Sequence, residues 1–394
     1  MTGSLEIAEI TIEALAAGGD GVGREAGGRV VFVPFTAPGD RVEVLLEPGG
    51  KRFARGRVRT LSVPGPARTD PLCAVFGSCG GCSWQHLAYD TQLEARRDIL
   101  RDTLERIGGL RVPAKIPFTP CPTPYAYRSR TRVVVSKGRV GYRRRHSSAV
   151  CATARCPILV PALDGALEAL AARPPQEDGE WELAAGEGGE VRVTKLGLPS
   201  AGGPRLAVAA GGDRIERSPL VFAQSNALLL DALVAAVQRA AGTGARALEL
   251  FAGAGFFTLG LARRFERVVA VEGNEAAAAD LVYNLAVAGL SNVEVRAEPV
   301  ERALAAAGVE QDVIVLDPPR SGLPRGLAPR IAALGARRIV YLSCDPATLA
   351  RDLSEMTREG YALAHIEGFD LFPQTPHLEA LATLEAEGQG KRSA

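Results

Sequence analysis

The sequence predicts a multi-domain chain: an N-terminal OB-like β-barrel, a β-rich central domain carrying a four-cysteine cluster, and a C-terminal α/β domain with a Rossmann-like sheet. Three observations predict it. Residues 5–62 are short alternating apolar runs broken by Gly, Asp and Pro. Cysteines gather at 73–82 within irregular, β-rich sequence. From Ser218 onward, apolar strands alternate with Ala-rich helical stretches, the pattern of a parallel sheet covered on both faces. The length of 394 residues agrees, since about 150 residues per domain gives two or three. The boundaries expected are 1–62, 63–215 and 216–394.

In the first part, LEIAEITIEAL, GRVVFVPFTA, DRVEVLLE and FARGRVRTLSV read as barrel strands. The segment GKRFARGRVR, which leads into the last run, carries Lys51, Arg52, Arg55, Arg57 and Arg59 with Phe53, a mixture suited to tracking a phosphate backbone. SVPGPARTDP reads as a linker. A helix is expected from His86 to Ile107, with Leu93, Leu100, Leu104 and Ile107 roughly in phase and Gly108-Gly109 ending it. YRSRTRVVVSKGRVGYRRR reads as a basic hairpin turning at Lys137-Gly138, and the Pro- and Gly-rich stretch 173–204 as a variable excursion.

Net charge is +1, but the charge is unevenly spread. Between Arg106 and Leu163 there are 12 Lys/Arg and no acid, which leaves 34 basic against 45 acidic residues elsewhere. Such an island reads as a nucleic-acid footprint, or more plainly as a solvated basic sheet face. No apolar run approaches the roughly 18 residues of a membrane span. MTGSLEIAEIT shows no basic or apolar leader, so a cytoplasmic chain with its seven cysteines reduced is expected.

In the last part, RALELF, RVVAVE, DVIVLD and RIVYLSC are the strand candidates, and ligands bind at the carboxyl ends of such strands. Gly253 and Gly255 allow a tight turn after the first, or only a turn. Glu272 ends the second, where an acid would meet ribose hydroxyls. Thr258 stands where a dinucleotide loop has its third glycine, which suits a nucleoside cofactor without phosphates, such as S-adenosylmethionine. Asp317 precedes a stiff Pro-Pro pair. Cys344 lies before Asp345-Pro346, a helix start, where the helix dipole would favour thiolate. A base should lie nearby, and His377 and Glu379 precede the last apolar strand.

With CAVFGSCGGC, FAQSN, LELFAGAGFFTL, VVAVEGN, LDPPRSG, YLSCDPATLARD and LFPQTPHLE in this order, the chain resembles the bacterial RNA uridine C5-methyltransferases of the RumA/TrmA type over nearly its whole length. The resemblance implies a TRAM barrel, a class I methyltransferase domain, Cys344 as nucleophile and Glu379 as base. It implies S-adenosylmethionine binding at Gln224, Phe251, Phe256, Glu272 and Asp317. Cys73, Cys79, Cys82 and Cys156 match the family's cluster ligands. Spacing alone slightly favours zinc, whereas the resemblance implies a [4Fe–4S] cluster. Asp345 stands where the family usually has Asn, and Phe256 and Pro299 where it tends to be polar. The implied partner is RNA, with ribosomal RNA favoured over transfer RNA, and the implied state is a monomer with no protein or membrane partner. Two other readings stay open. One is a methyltransferase that uses Asp317-Pro-Pro without a cysteine, and the other is a non-catalytic RNA-binding iron–sulfur protein.

Overall fold

The computed structural model describes residues 6–48, 50–197, 204–305 and 311–387. Strands β1 (Ile7–Leu15), β2 (Gly21–Arg24), β3 (Val30–Val33), β4 (Arg41–Leu46) and β5 (Phe53–Val63) close into a barrel in the order β1-β2-β3-β5-β4. Strict alternation decides the inside. Ile10, Ile12, Val31, Val33, Val42 and Val44 fill it, while Arg55, Arg57 and Arg59 of β5 stay exposed.

The next stretch holds α1 (Tyr89–Arg106), β6 (Phe118–Thr119), β7 (Arg130–Ser136), β8 (Arg139–Arg143), β9 (Val150–Ala152), α2 (Pro161–Ala172), β10 (Gly179–Ala185) and β11 (Val191–Lys195). Five of these strands form a sheet ordered β11-β10-β7-β8-β9. The hairpin turns at Lys137-Gly138, both with positive φ (50° and 69°), and Ser136 pairs with Arg139. That is the two-residue turn whose twist matches the strands. The excursion expected over 173–204 is largely replaced by β10 and β11, because Leu183 packs with Val133 and Val135 under α2; positions 198–203 lie outside the described residues.

The remainder opens with the hairpin β12 (Leu206–Ala210) and β13 (Asp213–Arg217). It continues through α3 (Leu230–Ala241), β14 (Gly244–Leu250), α4 (Thr258–Ala262), β15 (Phe265–Val271), α5 (Glu275–Val287), β16 (Val293–Arg296) and α6 (Val300–Ala303). It ends with β17 (Val313–Leu316), α7 (Leu327–Ala332), β18 (Arg338–Ser343), α8 (Pro346–Arg358), β19 (Tyr361–Phe369) and β20 (Glu379–Ala386). The eight-stranded sheet runs β16-β15-β14-β17-β18-β20-β19-β6. It is parallel from β16 to β18, as expected, but β20 is antiparallel to both β18 and β19. The four strands expected to be parallel are so, and β20 and β19 extend the sheet as an antiparallel pair that was not foreseen. β19 and β20 are joined by a short connection with no crossover helix, which forces an antiparallel pair. Leu93, Leu100 and Leu104 of α1 share one core with Leu349, Leu353 and Met356 of α8. The expected His86–Ile107 helix is found as Tyr89–Arg106.

Candidate active site

The carboxyl ends of β14, β15, β17 and β18 open into a cavity of about 820 Å³. Cys344, Glu379 and Asp317 line it, as do Gln224, Phe251, Phe256 and Glu272. So do Cys73, Cys79, Cys82 and Cys156. Residues far apart in sequence, and drawn from two regions, thus face one space.

At one end, the turn after β14 needs unusual backbone. Phe251, Gly253 and Gly255 have φ of 64°, 56° and 101°. The φ of 101° at Gly255 strains any residue with a Cβ, and a Cβ there would also lie 2.7 Å from Leu281 Cδ1 of α5. Glu272 fixes this loop, since its carboxylate accepts from Gly253 N–H at 2.8 Å and Asn274 N–H at 2.6 Å. Each oxygen keeps lone pairs for a further donor, which fits a ribose diol. Asn274 then caps α5 by accepting from Ala277 N–H at 3.0 Å. Phe251 and Phe256 add apolar wall.

At the other end, sheet register brings nucleophile and base together. Ser343 pairs with Ala380 across β18 and β20, so Cys344 follows one strand end just where Glu379 begins the other. Asp317 follows the adjacent β17, and Gln224 Nε2 approaches its Oδ2 at 3.5 Å. Glu379 is 2% exposed. Burial pushes its carboxyl well above the usual range, the Asp317 charge adds to this, and the Arg320 guanidinium opposes it. Asp317 is raised to about 7 by burial, against the hydrogen bond from Gln224. The Cys344 thiol is pushed up to about 12, by burial first and by Glu379 second, with Arg320 opposing. The expected thiolate-favouring helix start is thus overridden. The N-terminal donors of α8 are taken by Asp345, whose Oδ1 accepts from Ala347 N–H at 3.0 Å and Thr348 N–H at 2.9 Å. Cys344 lies outside that cap, beside carboxyls. The same bonds show that Asp at 345 caps the helix as an Asn would.

The four cluster cysteines are free thiols close enough for their charges to disfavour one another's ionisation. Burial raises Cys79 to about 11 and Cys82 to about 12. Gly81 N–H donates to Cys79 Sγ at 3.4 Å, and Asp164 holds the Cys156 backbone N–H at 2.7 Å. Among the described residues, no three His, Cys, Asp or Glu side chains form a group ready for a metal ion. The donor set itself, soft sulfur facing a shared space, fits an iron–sulfur cluster or zinc. Cys121 and Cys151 are buried, and Cys121 contacts Asn226.

The basic island is partly matched in space. Arg130 and Arg132 reach Glu182, Arg143 reaches Glu180, and Arg155 reaches Asp164 and Glu168. Arg145 joins the barrel, with Asp20 at 2.9 Å and its guanidinium 4.9 Å from the Phe35 ring centroid. A second cavity of about 780 Å³ lies beside the first and is lined by Arg132, Arg143, Arg144, Arg145, His146 and His377. The two share Cys79, Cys82, Arg132 and Tyr142. His377, one of the two base candidates, faces this second space, whereas Glu379 faces the first. The sequence reading missed Arg128, Arg130 and Arg320 as cavity residues. Arg320 was in plain view after Asp317-Pro-Pro, but nothing in sequence shows that it turns toward Cys344.

Residues 6–58 match the TRAM domain and residues 213–387 match the tRNA (Uracil-5-)-methyltransferase family. The chain is 34% identical to the 23S rRNA (uracil(1939)-C(5))-methyltransferase RlmD of Edwardsiella ictaluri, covering 98% of each. It is 34% identical to the protein of the same name from Alkalilimnicola ehrlichii, covering 97% of each. Among solved structures, Pyrococcus abyssi tRNA (uracil-54, C5)-methyltransferase in complex with S-adenosyl-L-homocysteine superposes with a TM-score of 0.75 at 26% identity, covering 95% of this chain and all of that one. Barrel, sheet and cavity agree with these likenesses, and the chain belongs to the family of RNA uracil-C5 methyltransferases that use S-adenosylmethionine.

Proposed function

We propose that the protein methylates carbon 5 of a uridine in 23S ribosomal RNA, with Cys344 as nucleophile and Glu379 as base. The observation that carries this is the placement of Cys344 and Glu379 on neighbouring strand ends, facing the space that Glu272 and the glycine loop also face. S-adenosylmethionine, when bound, supplies the methyl group. Gln224, Phe251, Phe256, Glu272 and Asp317 would hold it. Carbon 5 of uracil is a weak nucleophile. Cys344, once it has lost its proton, would bond through sulfur to carbon 6; carbon 5, now enolate-like, would take the methyl group as the methyl–sulfur bond breaks, leaving S-adenosylhomocysteine. Glu379 removes the proton still on carbon 5; the carbon–sulfur bond then breaks and Cys344 leaves. Asp317, Glu379 and Cys344 are held toward their neutral forms by burial, and a cationic sulfonium in the same cavity would favour their ionised forms. The reactive thiolate and carboxylate would then form together with the donor rather than before it.

Sulfur and base must reach carbons 5 and 6 of the ring, so the target base must leave its stack to enter the cavity. The arginine-lined second cavity and the exposed arginines of β5 would hold the flanking strand. The cysteines Cys73, Cys79, Cys82 and Cys156 would hold a [4Fe–4S] cluster as a staple for their segment, without entering the reaction. The RlmD relatives favour ribosomal RNA; the archaeal structure keeps transfer RNA as the second reading. Labelled methyl transfer to 23S rRNA and tRNA transcripts separates them. Wild-type protein should label 23S rRNA, digestion should yield 5-methyluridine, and Cys344→Ala should lose the activity while still binding the donor. Labelling confined to tRNA would overturn the target, and an active Cys344→Ala would overturn the chemistry.

A further inference from the structure

The segment that leads into Glu379 is held by side chains from α1, outside the methyltransferase sheet. Arg96 is fully buried. Its Nη2 donates to Thr375 O at 2.7 Å, and its Nε to His377 O at 3.1 Å, two residues before Glu379. Asp370, at the other end of the segment, lies 3.4 Å from the guanidinium and balances its charge, and the Trp84 ring covers it at 5.1 Å. Gln92, one turn earlier, exchanges two bonds with Gln374. Its Oε1 accepts from Gln374 N–H at 3.0 Å, and its Nε2 donates to Gln374 Oε1 at 3.0 Å. Gln374 has φ of 70°, a left-handed backbone that a non-glycine residue keeps only when its surroundings hold it. The Gln374 carbonyl also accepts from Ser83 and Trp84 N–H, at 3.1 and 3.0 Å, directly after Cys82. The bonds of Gln92 to Gln374 and of Arg96 to Thr375 are buried, that to His377 is part-buried, and together they fix the backbone that leads into Glu379.

We propose that Gln92 and Arg96 are positioning residues for the general base, so that proton removal from carbon 5 depends on a helix that lines neither cavity. This rests on the assignment of Glu379 as base. The prediction concerns one step. If the segment slackens, Cys344 still adds and the methyl group still arrives, but the proton is not removed and the enzyme stays bound to its product.

The test compares Gln92→Ala, Arg96→Lys and Glu379→Gln on ordinary uridine RNA with donor, using denaturing gels. Arg96→Lys keeps a charge opposite Asp370 but cannot reach both carbonyls; Gln92→Ala buries no unpaired charge and covers the case in which Arg96→Lys fails to fold. Both should accumulate a covalent RNA–protein band, as Glu379→Gln should. Their kcat should fall roughly tenfold or more, up to the ~10²–10⁴-fold that a general base contributes, with KM for RNA little changed. Full adduct yield on 5-fluorouridine RNA should remain, because that adduct forms before proton removal. Unchanged kcat in both variants overturns the inference, as does loss of activity and of the fluorouridine adduct together. Absence of the trapped band in Glu379→Gln overturns the base assignment, and the inference falls with it.

Discussion

Burial sets the chemistry of individual residues here more than local sequence does. The Cys344 thiol, raised to about 12, and the Glu379 carboxyl, raised well above its usual range, share a cause: desolvation in the cavity wall beside other acids. Glu249 on β14 is a third case. Its Oε2 has no hydrogen-bond partner and its carboxyl is raised to about 8, by burial first, with Asp317 and Glu272 adding to it. Such a group binds a proton in the folded state that it loses in the unfolded one. Its stabilising contribution is whole below about pH 4.5, the unfolded value, and disappears as pH rises to about 8. Glu249→Gln should therefore flatten the decline of stability across that window by up to one proton's slope, about 1.4 kcal/mol per pH unit. Urea unfolding of the ligand-free protein at several pH values checks this; parallel curves for wild type and variant would contradict it.

At the level of elements, sequence spoke clearly where a strand is short, apolar and followed by a chemical group. β14, β15, β17 and β18 were each legible from RALELF, RVVAVE, DVIVLD and RIVYLSC, and so were Glu272, Asp317 and Cys344 at their ends. The Lys137-Gly138 turn was legible because few residue pairs tolerate positive φ. β10 and β11 were not, since Pro and Gly around them masked a strand whose only strong signal is alternation over Trp181 and Leu183. The antiparallel seating of β20 was also hidden. Nothing in LEALATLE states which neighbour it pairs with, although that pairing is what puts Glu379 beside Cys344. Asp345 was legible as the cap and is found there; what the sequence did not show is that burial and the Glu379 and Asp317 carboxyls beside the Cys344 thiol would outweigh the helix start. Arg96, which holds the segment before Glu379 from α1, carries no local signature, and Arg320 stands in LDPPRSG with nothing in the sequence to show that it faces Cys344 and Glu379.

For the whole molecule, three regions meet around the cavities. Gly19 of the barrel, at φ 89°, leaves room for Pro376 and Trp84, and a Cβ there would lie 3.0 Å from the Pro376 ring. Trp84 Nε1 donates to Gly19 O at 2.9 Å. Arg145 ties the hairpin to Asp20 and Phe35 and is therefore a strut, whereas Arg144 is exposed and makes no side-chain bond among the described residues. The two neighbours should thus separate cleanly. Arg144→Glu should weaken RNA binding and lower the salt slope by about one while leaving Tm unchanged. Arg145→Glu should cost about 1–2 kcal/mol of stability through the lost cation–π contact and ion pair. Equal effects of both on Tm would refute the distinction. In the proposed reaction these regions would serve one event, the bonding of a displaced uracil to the Cys344 sulfur at the end of β18. The most direct measurement is peptide mass spectrometry after incubation with donor and 23S rRNA fragments carrying 5-fluorouridine, whose fluorine cannot be removed as a proton is. The account predicts a denaturant-stable RNA adduct on the peptide containing Cys344, absent in Cys344→Ala. An adduct on another cysteine, or none when RNA and donor are both shown to be bound, would contradict it.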